Sequence, residues 1–238
     1  MTGERPELTA TEAAINELEC LALDELQPGD LLPSEATLAE RLGISRLTVR
    51  EATRALAARG YVELHKGRRP KVLAPSGSQV GDFFRAAVRR DPSALLELLE
   101  VRRALEVHIA ALAATRAPRS ALAAMDEAVG QMERDPLDQD AFHAADIHFH
   151  EALAAATGNS MLTQLIEQLA EPLLLSRRRS YEGHKRSGEG FGPVIEAHRA
   201  ILRAVHNRDA TAAANAMRQH LTATERDLRA ALRLADTR

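Results

Sequence analysis

The sequence predicts a mainly α-helical protein in two parts: a small N-terminal unit of short helices closed by a β-hairpin, and a longer all-helical C-terminal bundle. Three observations predict it. The 238 residues are dominated by Ala, Leu, Arg and Glu, with aromatics at 3% and no Trp, a helix-rich and β-poor balance. Helix punctuation recurs along the whole chain, and strand alternation replaces it only near Tyr61–Leu64 and Lys71–Leu73. Between the two parts lies Ala74 to Val80, APSGSQV, with Pro, Gly and two Ser and little periodicity. The expected division is residues 1–74, a linker at 75–80, and 81–238.

The N-terminal elements follow from their caps. Thr9 and Glu12 form a capping box for a first helix, whose apolar positions are Ala13, Ile15, Leu18, Leu21, Leu23 and Leu26, with Cys20 expected in its core. Gln27-Pro28-Gly29-Asp30 ends it. Ser34 caps a second helix that buries Leu38, Ala39 and Leu42; Gly43 suits a left-handed turn, and Ser45 caps the third helix. There Val49, Ala52 and Leu56 face inward, while Arg46, Arg50 and Arg54 at i, i+4, i+8 share an outward face. Gly60 closes that helix, and a hairpin follows with the cationic tip Lys66-Gly67-Arg68-Arg69-Pro70. Two helices, a tight turn and such a hairpin make a winged helix-turn-helix.

Beyond the linker everything reads as helix, about seven in all. Asp91-Pro92 opens one that runs to about Arg116, Pro118 another to about Arg134, and Asp135-Pro136 a third to about Thr157. Gly158-Asn159 separates a helix running to about Tyr181 with a bend at Pro172. Glu182 to Gly192, with four glycines, is expected to be a loop before helices at Pro193–His206 and Asp209–Ala235.

Charge narrows the function classes. The net charge is -3, yet Arg41 to Val72 carries nine Lys or Arg against two Glu, so a patch of +7 sits on a remainder near -10. A local basic patch on an acidic body is the pattern of a nucleic-acid reader with a second task. A single cysteine excludes an internal disulfide and a cysteine-rich zinc site. No apolar run reaches the roughly 18 residues of a membrane span, and the N-terminus lacks the basic start and apolar core of a leader. A soluble protein of the reducing cytoplasm is expected.

A helix fits the major groove of double-stranded DNA, and arginine matches the O6 and N7 acceptors of guanine. Arg46 and Arg50 are therefore the expected base readers, with Arg54 on the same face. Ser45 and Thr48 are placed for phosphate. Arg68, Arg69 and Lys71 on the wing supply backbone or minor-groove contacts.

In the bundle, Asp146 and His150 are four apart on one helix face, and His198 and His220 sit on the last two helices among apolar neighbours. One carboxylate and three imidazoles suit zinc, nickel or another divalent transition metal. Such a set contributes only -1, so a bound divalent ion keeps a net positive charge that attracts a small carboxylate. Spacing alone leaves hydrogen-bonded core histidines as the alternative, with His143 and His148 as competing candidates; His148 lies two residues from both Asp146 and His150 and points to another face. Arg102 is either an i, i+4 ion-pair partner of Glu106 or a bidentate clamp for an organic acid. The run Arg177-Arg178-Arg179 reads as mostly solvated surface.

The stretch LQPGDLLPSEATLAERLGISRLTVREATRALAARGYVEL resembles the N-terminal winged helix-turn-helix of the GntR family of bacterial transcription regulators. The segments ELLEVRRALEVHIAALAA, DIHFHEALAAATGNSML, EAHRAIL and MRQHL resemble the FCD effector domain of its FadR subfamily. The resemblance implies a homodimer on a pseudo-palindromic operator, responsive to a small organic acid. It also implies a metal held by Asp146, His150, His198 and His220, and an effector arginine at Arg102 rather than Arg103. Two positions depart from the family pattern: Ala36 stands where many members carry a DNA-contacting arginine, and Gly67-Arg68-Arg69-Pro70 replaces a Gly-Arg-Gly-Thr wing tip. The rival readings are a metal-sensing repressor and a metal-dependent hydrolase or lyase; the latter lacks any clear general base or nucleophile beside the Asp/His set.

Overall fold

The computed structural model describes residues 8–187 and 190–235. Residues 1–7, within the segment read above for a leader, and 188–189, within the expected glycine loop, lie outside the described residues, as do 236–238. The chain forms two compact units, one ending at Gln79 and the other starting at Val80.

In the first unit, α1 (Ala10–Cys20) starts at the Thr9/Glu12 capping box and continues into a π-helical turn, Leu21–Glu25, closed by Leu26 N–H donating to the Leu21 carbonyl at 3.1 Å. Its buried stripe is Ala14, Leu18, Leu21 and Ala22, set by the i, i+4 phase of Ala14 and Leu18. Ala13 and Leu23 fall off that stripe and are exposed, and Cys20, expected in the core, is exposed for the same reason.

Helices α2 (Glu35–Leu42) and α3 (Arg46–Ala58) are capped as their sequences dictate. Ser34 and Ser45 hydroxyls accept from the backbone N–H of Thr37 and Thr48, each at 3.1 Å, and Gly43 between the helices has φ 64°. Strands β1 (Val62–Glu63) and β2 (Lys71–Val72) pair antiparallel, Val62 opposite Val72 and Glu63 opposite Lys71. Val62 and Val72 close the core made by Leu18, Leu32, Leu38, Val49, Ala52 and Leu56.

The regular elements of the second unit's described residues are all helices, the first of which begins two residues before the unit boundary: α4 (Ser78–Arg90), α5 (Ala94–Arg116), α6 (Arg119–Arg134), α7 (Gln139–Ala155), α8 (Ser160–Ser187), α9 (Gly192–His206) and α10 (Ala210–Ala235). Ser78 to Val80, expected in the linker, are the first turn of α4. Asp91-Pro92 and Asp135-Pro136 precede their helices by a turn, so the cap positions fall to Ser93 and Asp138; Asp138 accepts from Ala141 N–H at 3.0 Å. Helix α8 runs through Pro172 and past Tyr181 to Ser187, so most of the expected Glu182–Gly192 loop is helix. No helix among the described residues is long and apolar enough to cross a membrane.

Small side chains let these helices approach closely: Ala110, Ala113, Ala114, Ala128, Ala145 and Ala154 are all buried among Leu99, Ile109, Met125, Phe149 and Leu153. Helix α10 packs on α5, α8 and α9, while α7 lies against α6 and α8. In this mostly apolar interior Arg102, Glu106, Asp146, His150, Arg177, His198 and His220 are buried together with no more than 8% exposure each. Buried charge is tolerated only when paired, so the bundle is built around a polar centre.

Candidate nucleic-acid interface and metal centre

On the first unit, Arg46, Arg50 and Arg54 line the exposed face of α3, as their spacing requires. A groove runs between the N-terminus of α2, this face and the hairpin, lined by Ser34, Arg50, Arg54, Lys66, Arg68 and Arg69 among others. The structure commits several of these side chains locally. Arg50 donates to both carboxylate oxygens of Glu35, at 3.0 and 2.6 Å. Ser45 and Thr48 hydroxyls contact each other at 2.9 Å while Ser45 caps α3. Arg69 donates to the carbonyls of Leu32 and Leu31 at 2.7 and 3.0 Å, stapling the hairpin tip to the segment before α2. Arg46, Arg54, Arg68 and Lys71 are exposed.

In the second unit, α7 supplies Asp146 and His150, α9 supplies His198, and α10 supplies His220. Their donor atoms lie within 4.8 Å of one another, and all four side chains are buried. Asp146 Oδ1 is the inward oxygen, 3.1 Å from His198 Nε2 and 3.8 Å from His150 Nε2; Oδ2 takes Arg177 Nε. His198 Nδ1 meets the Val194 carbonyl at 2.9 Å and His150 Nδ1 lies 2.5 Å from Glu106 Oε2. The Glu106–His150 approach is an ion-pair contact without hydrogen-bond geometry, and Arg102 Nη2, which can only donate, faces His150 Nε2 and so leaves the imidazole's lone pair there and its proton on Nδ1. His220 Nε2 is buried without a hydrogen-bond partner.

Protonation favours a cation here. Burial drives His150 down to about 4 and His220 well below its ordinary value, leaving neutral imidazoles. Burial pushes the Asp146 carboxyl up, but Arg177 and the neighbouring imidazoles outweigh it and hold the group well below its usual range. His198 Nε2 and Asp146 Oδ1 face each other at 3.1 Å, two ligand atoms that one cation can share. These donors fit a divalent transition ion of tetrahedral or open octahedral preference.

Arg102, on α5, donates through Nε to Glu106 and places Nη2 2.7 Å from His150 Nε2. Arg102 and Arg177 both line a cavity of about 50 Å³, as do Phe142, His143, Tyr181 and Phe191. Tyr181 stacks on Phe191 with centroids 4.4 Å apart. The two arginines, Glu106 and Asp146 sum to zero charge; a divalent ion raises that to +2, which draws an anion into the cavity.

Two site residues escape the reading of the sequence. Arg177 is 7% exposed rather than solvated, and Glu106 is a site residue rather than only a partner for Arg102. For Arg177 a signal existed: Ile166, Leu169, Leu173 and Arg177 follow one helical stripe within the helix expected to run to about Tyr181. His143 lies in the cavity wall, edge-on to Tyr181, outside the four-donor set; His148 is exposed.

Comparison with known proteins matches residues 12–72 to "Bacterial regulatory proteins, gntR family" and residues 97–223 to the "FCD domain". The chain is 37% identical over 202 residues to the Uxu operon transcriptional regulator of Escherichia coli, covering 82% of this chain and 76% of that protein. It is 30% identical over 207 residues to the galactonate operon transcriptional repressor of the same organism, covering 85% and 89%. Among solved structures, Streptococcus agalactiae GntR superposes with a TM-score of 0.69 at 28% identity, over 91% of this chain and 99% of that one. These relatives are transcriptional regulators and not enzymes, and this chain belongs to the GntR family, in the FadR-like branch that joins a winged helix-turn-helix to an FCD domain.

Proposed function

We propose that the protein is a homodimeric, cytoplasmic repressor that binds a pseudo-palindromic operator and answers to a small carboxylate docked at a divalent metal, zinc or nickel, in its FCD domain. The observation that carries this reading is the convergence of four buried donors, Asp146, His150, His198 and His220, beside a cavity lined by two arginines. When bound, such an ion supplies a Lewis-acid docking point for a carboxylate oxygen. Arg102 supplies the complementary clamp, because its planar fork matches a carboxylate.

On DNA, Arg46 and Arg50 read base edges, with Arg54 beside them on the α3 face. Ser45, Thr48, Arg68, Arg69 and Lys71 supply or support backbone contacts. Two heads related by a dyad place their α3 helices in successive major grooves about 34 Å apart. An effector can shift that pairing only by its differential affinity for two arrangements, typically about 1–3 kcal/mol of coupling. The name of the galactonate operon repressor supports the sign proposed here.

The test is a metal assay on the purified protein, followed by chelation, operator binding and a thermal-shift screen of mono- and dicarboxylates, hydroxy acids and sugar acids. Stoichiometric metal, and a carboxylate response that chelation abolishes while operator binding persists, are expected. If added metal alone switches operator binding, the ion itself is the signal; if no metal binds, the docking role fails.

A further inference from the structure

Glu106 touches both groups on which effector docking depends, one with each oxygen. Its Oε1 takes Arg102 Nε, and its Oε2 lies 2.5 Å from His150 Nδ1. Arg102 closes the ring by placing Nη2 2.7 Å from His150 Nε2. All three residues are 2% exposed, so these contacts form in a low-dielectric interior. The ring spans α5 and α7, with Arg102 and Glu106 one helical turn apart.

Each contact has a consequence for the metal set. A neutral imidazole carries one proton; Arg102 Nη2, which can only donate, keeps it off Nε2, and the Glu106 carboxylate beside Nδ1 favours it there by charge although the pair has no hydrogen-bond geometry, so the Nε2 lone pair faces Asp146, His198 and His220. That lone pair is also the acceptor of Arg102 Nη2. A guanidinium N–H and a metal ion cannot share one lone pair. With an ion there, Nη2 has lost its acceptor while Nε stays on Glu106, so the guanidinium remains anchored with a donor free at the cavity.

Building on the proposed metal and effector roles, we propose that Glu106 is the positioning residue that couples His150 to Arg102: it fixes the imidazole for the metal and holds the arginine that metal binding releases toward the carboxylate. The carboxylate clamp is thus assembled only in the metal-loaded protein.

The test uses the full chain and Zn²⁺ alone, with affinity read by competition against a chromophoric chelator and geometry by the Co²⁺ absorption spectrum. Glu106→Gln is expected to weaken Zn²⁺ binding about 10–100-fold and alter the Co²⁺ spectrum, because a single amide cannot serve both partners. Glu106→Asp keeps the charge and shortens the reach, so it should fold as wild type and still lose about tenfold or more. Arg102→Met, which removes the competitor, should tighten Zn²⁺ binding. The double variant Arg102→Met/Glu106→Gln should stay weaker than Arg102→Met by the same factor; parity between them would make Glu106 a mere counter-ion and overturn the proposal. Wild-type affinity in both Glu106 variants overturns it while leaving the metal reading intact, whereas a wild-type chain that binds no Zn²⁺ removes both.

Discussion

Arg50 on the recognition helix is held by Glu35 on the helix before it, with Nε and Nη2 each facing one carboxylate oxygen, at 3.0 and 2.6 Å. The fork that would read guanine is therefore pre-set but occupied. Glu35→Gln should release it and strengthen binding to non-specific DNA, with a salt dependence steeper by about one charge. Arg50→Ala should weaken specific binding roughly ten- to a hundredfold. Anisotropy titrations with operator and scrambled duplexes over a salt series check both, and an unchanged operator affinity in Arg50→Ala would remove Arg50 from the base readers.

Arg68 and Arg69 are adjacent, but only Arg69 is tied to the carbonyls of Leu31 and Leu32. Arg68→Ala should lower DNA affinity and leave the unfolding temperature unchanged. Arg69→Ala should lower the unfolding temperature of the N-terminal unit, since it frees two carbonyls and the hairpin tip. Differential scanning calorimetry beside a DNA titration separates the two, and equal effects of both substitutions would contradict the division.

Arg177 is the buried counter-ion of Asp146 Oδ2. Arg177→Met should destabilise the metal-free protein by about 3–5 kcal/mol, because it leaves a carboxylate without its cation. Zn²⁺ should restore a large part of that loss by taking over the charge. Denaturant unfolding with and without Zn²⁺ measures the recovery; a deficit untouched by Zn²⁺ would mean that Arg177 acts by packing alone.

The buried imidazoles also set an acid limit. Burial drives His150 from an ordinary 6.5 to about 4 and pushes His220 down as well. A folded pKa below the unfolded one means the unfolded chain takes up protons first, so the stability contribution is complete above about pH 6.5 and falls as the pH drops toward 4. Metal-free protein should lose thermal stability steadily across that window, and His220→Phe should flatten the slope. An unfolding temperature constant from pH 7 to 5 would exclude neutral buried imidazoles.

Local signals made the N-terminal unit legible. Ser34, Gly43 and Ser45 act within four residues of themselves, so their roles can be read from the chain. Cys20 lies off the core because a helix stripe is fixed by phase, and Ala14, Leu18, Leu21 and Ala22 set it on another face. In the bundle, the i, i+4 pair Asp146 and His150 is visible in the sequence. The stripe of Ile166, Leu169 and Leu173 points Arg177 inward, but its partner Asp146 lies 31 residues away on another helix and no local rule pairs the two. Glu106 was visible only as the near neighbour of Arg102; its second partner comes from another helix.

The aromatic wall of the cavity gives the protein an optical handle of its own. The chain has no Trp and two Tyr, and Tyr181 lies in that wall while Tyr61 belongs to the N-terminal unit. Each domain thus carries a single tyrosine. In a Tyr61→Phe protein all tyrosine emission comes from one ring stacked on Phe191, so occupancy of the cavity can be followed without a label.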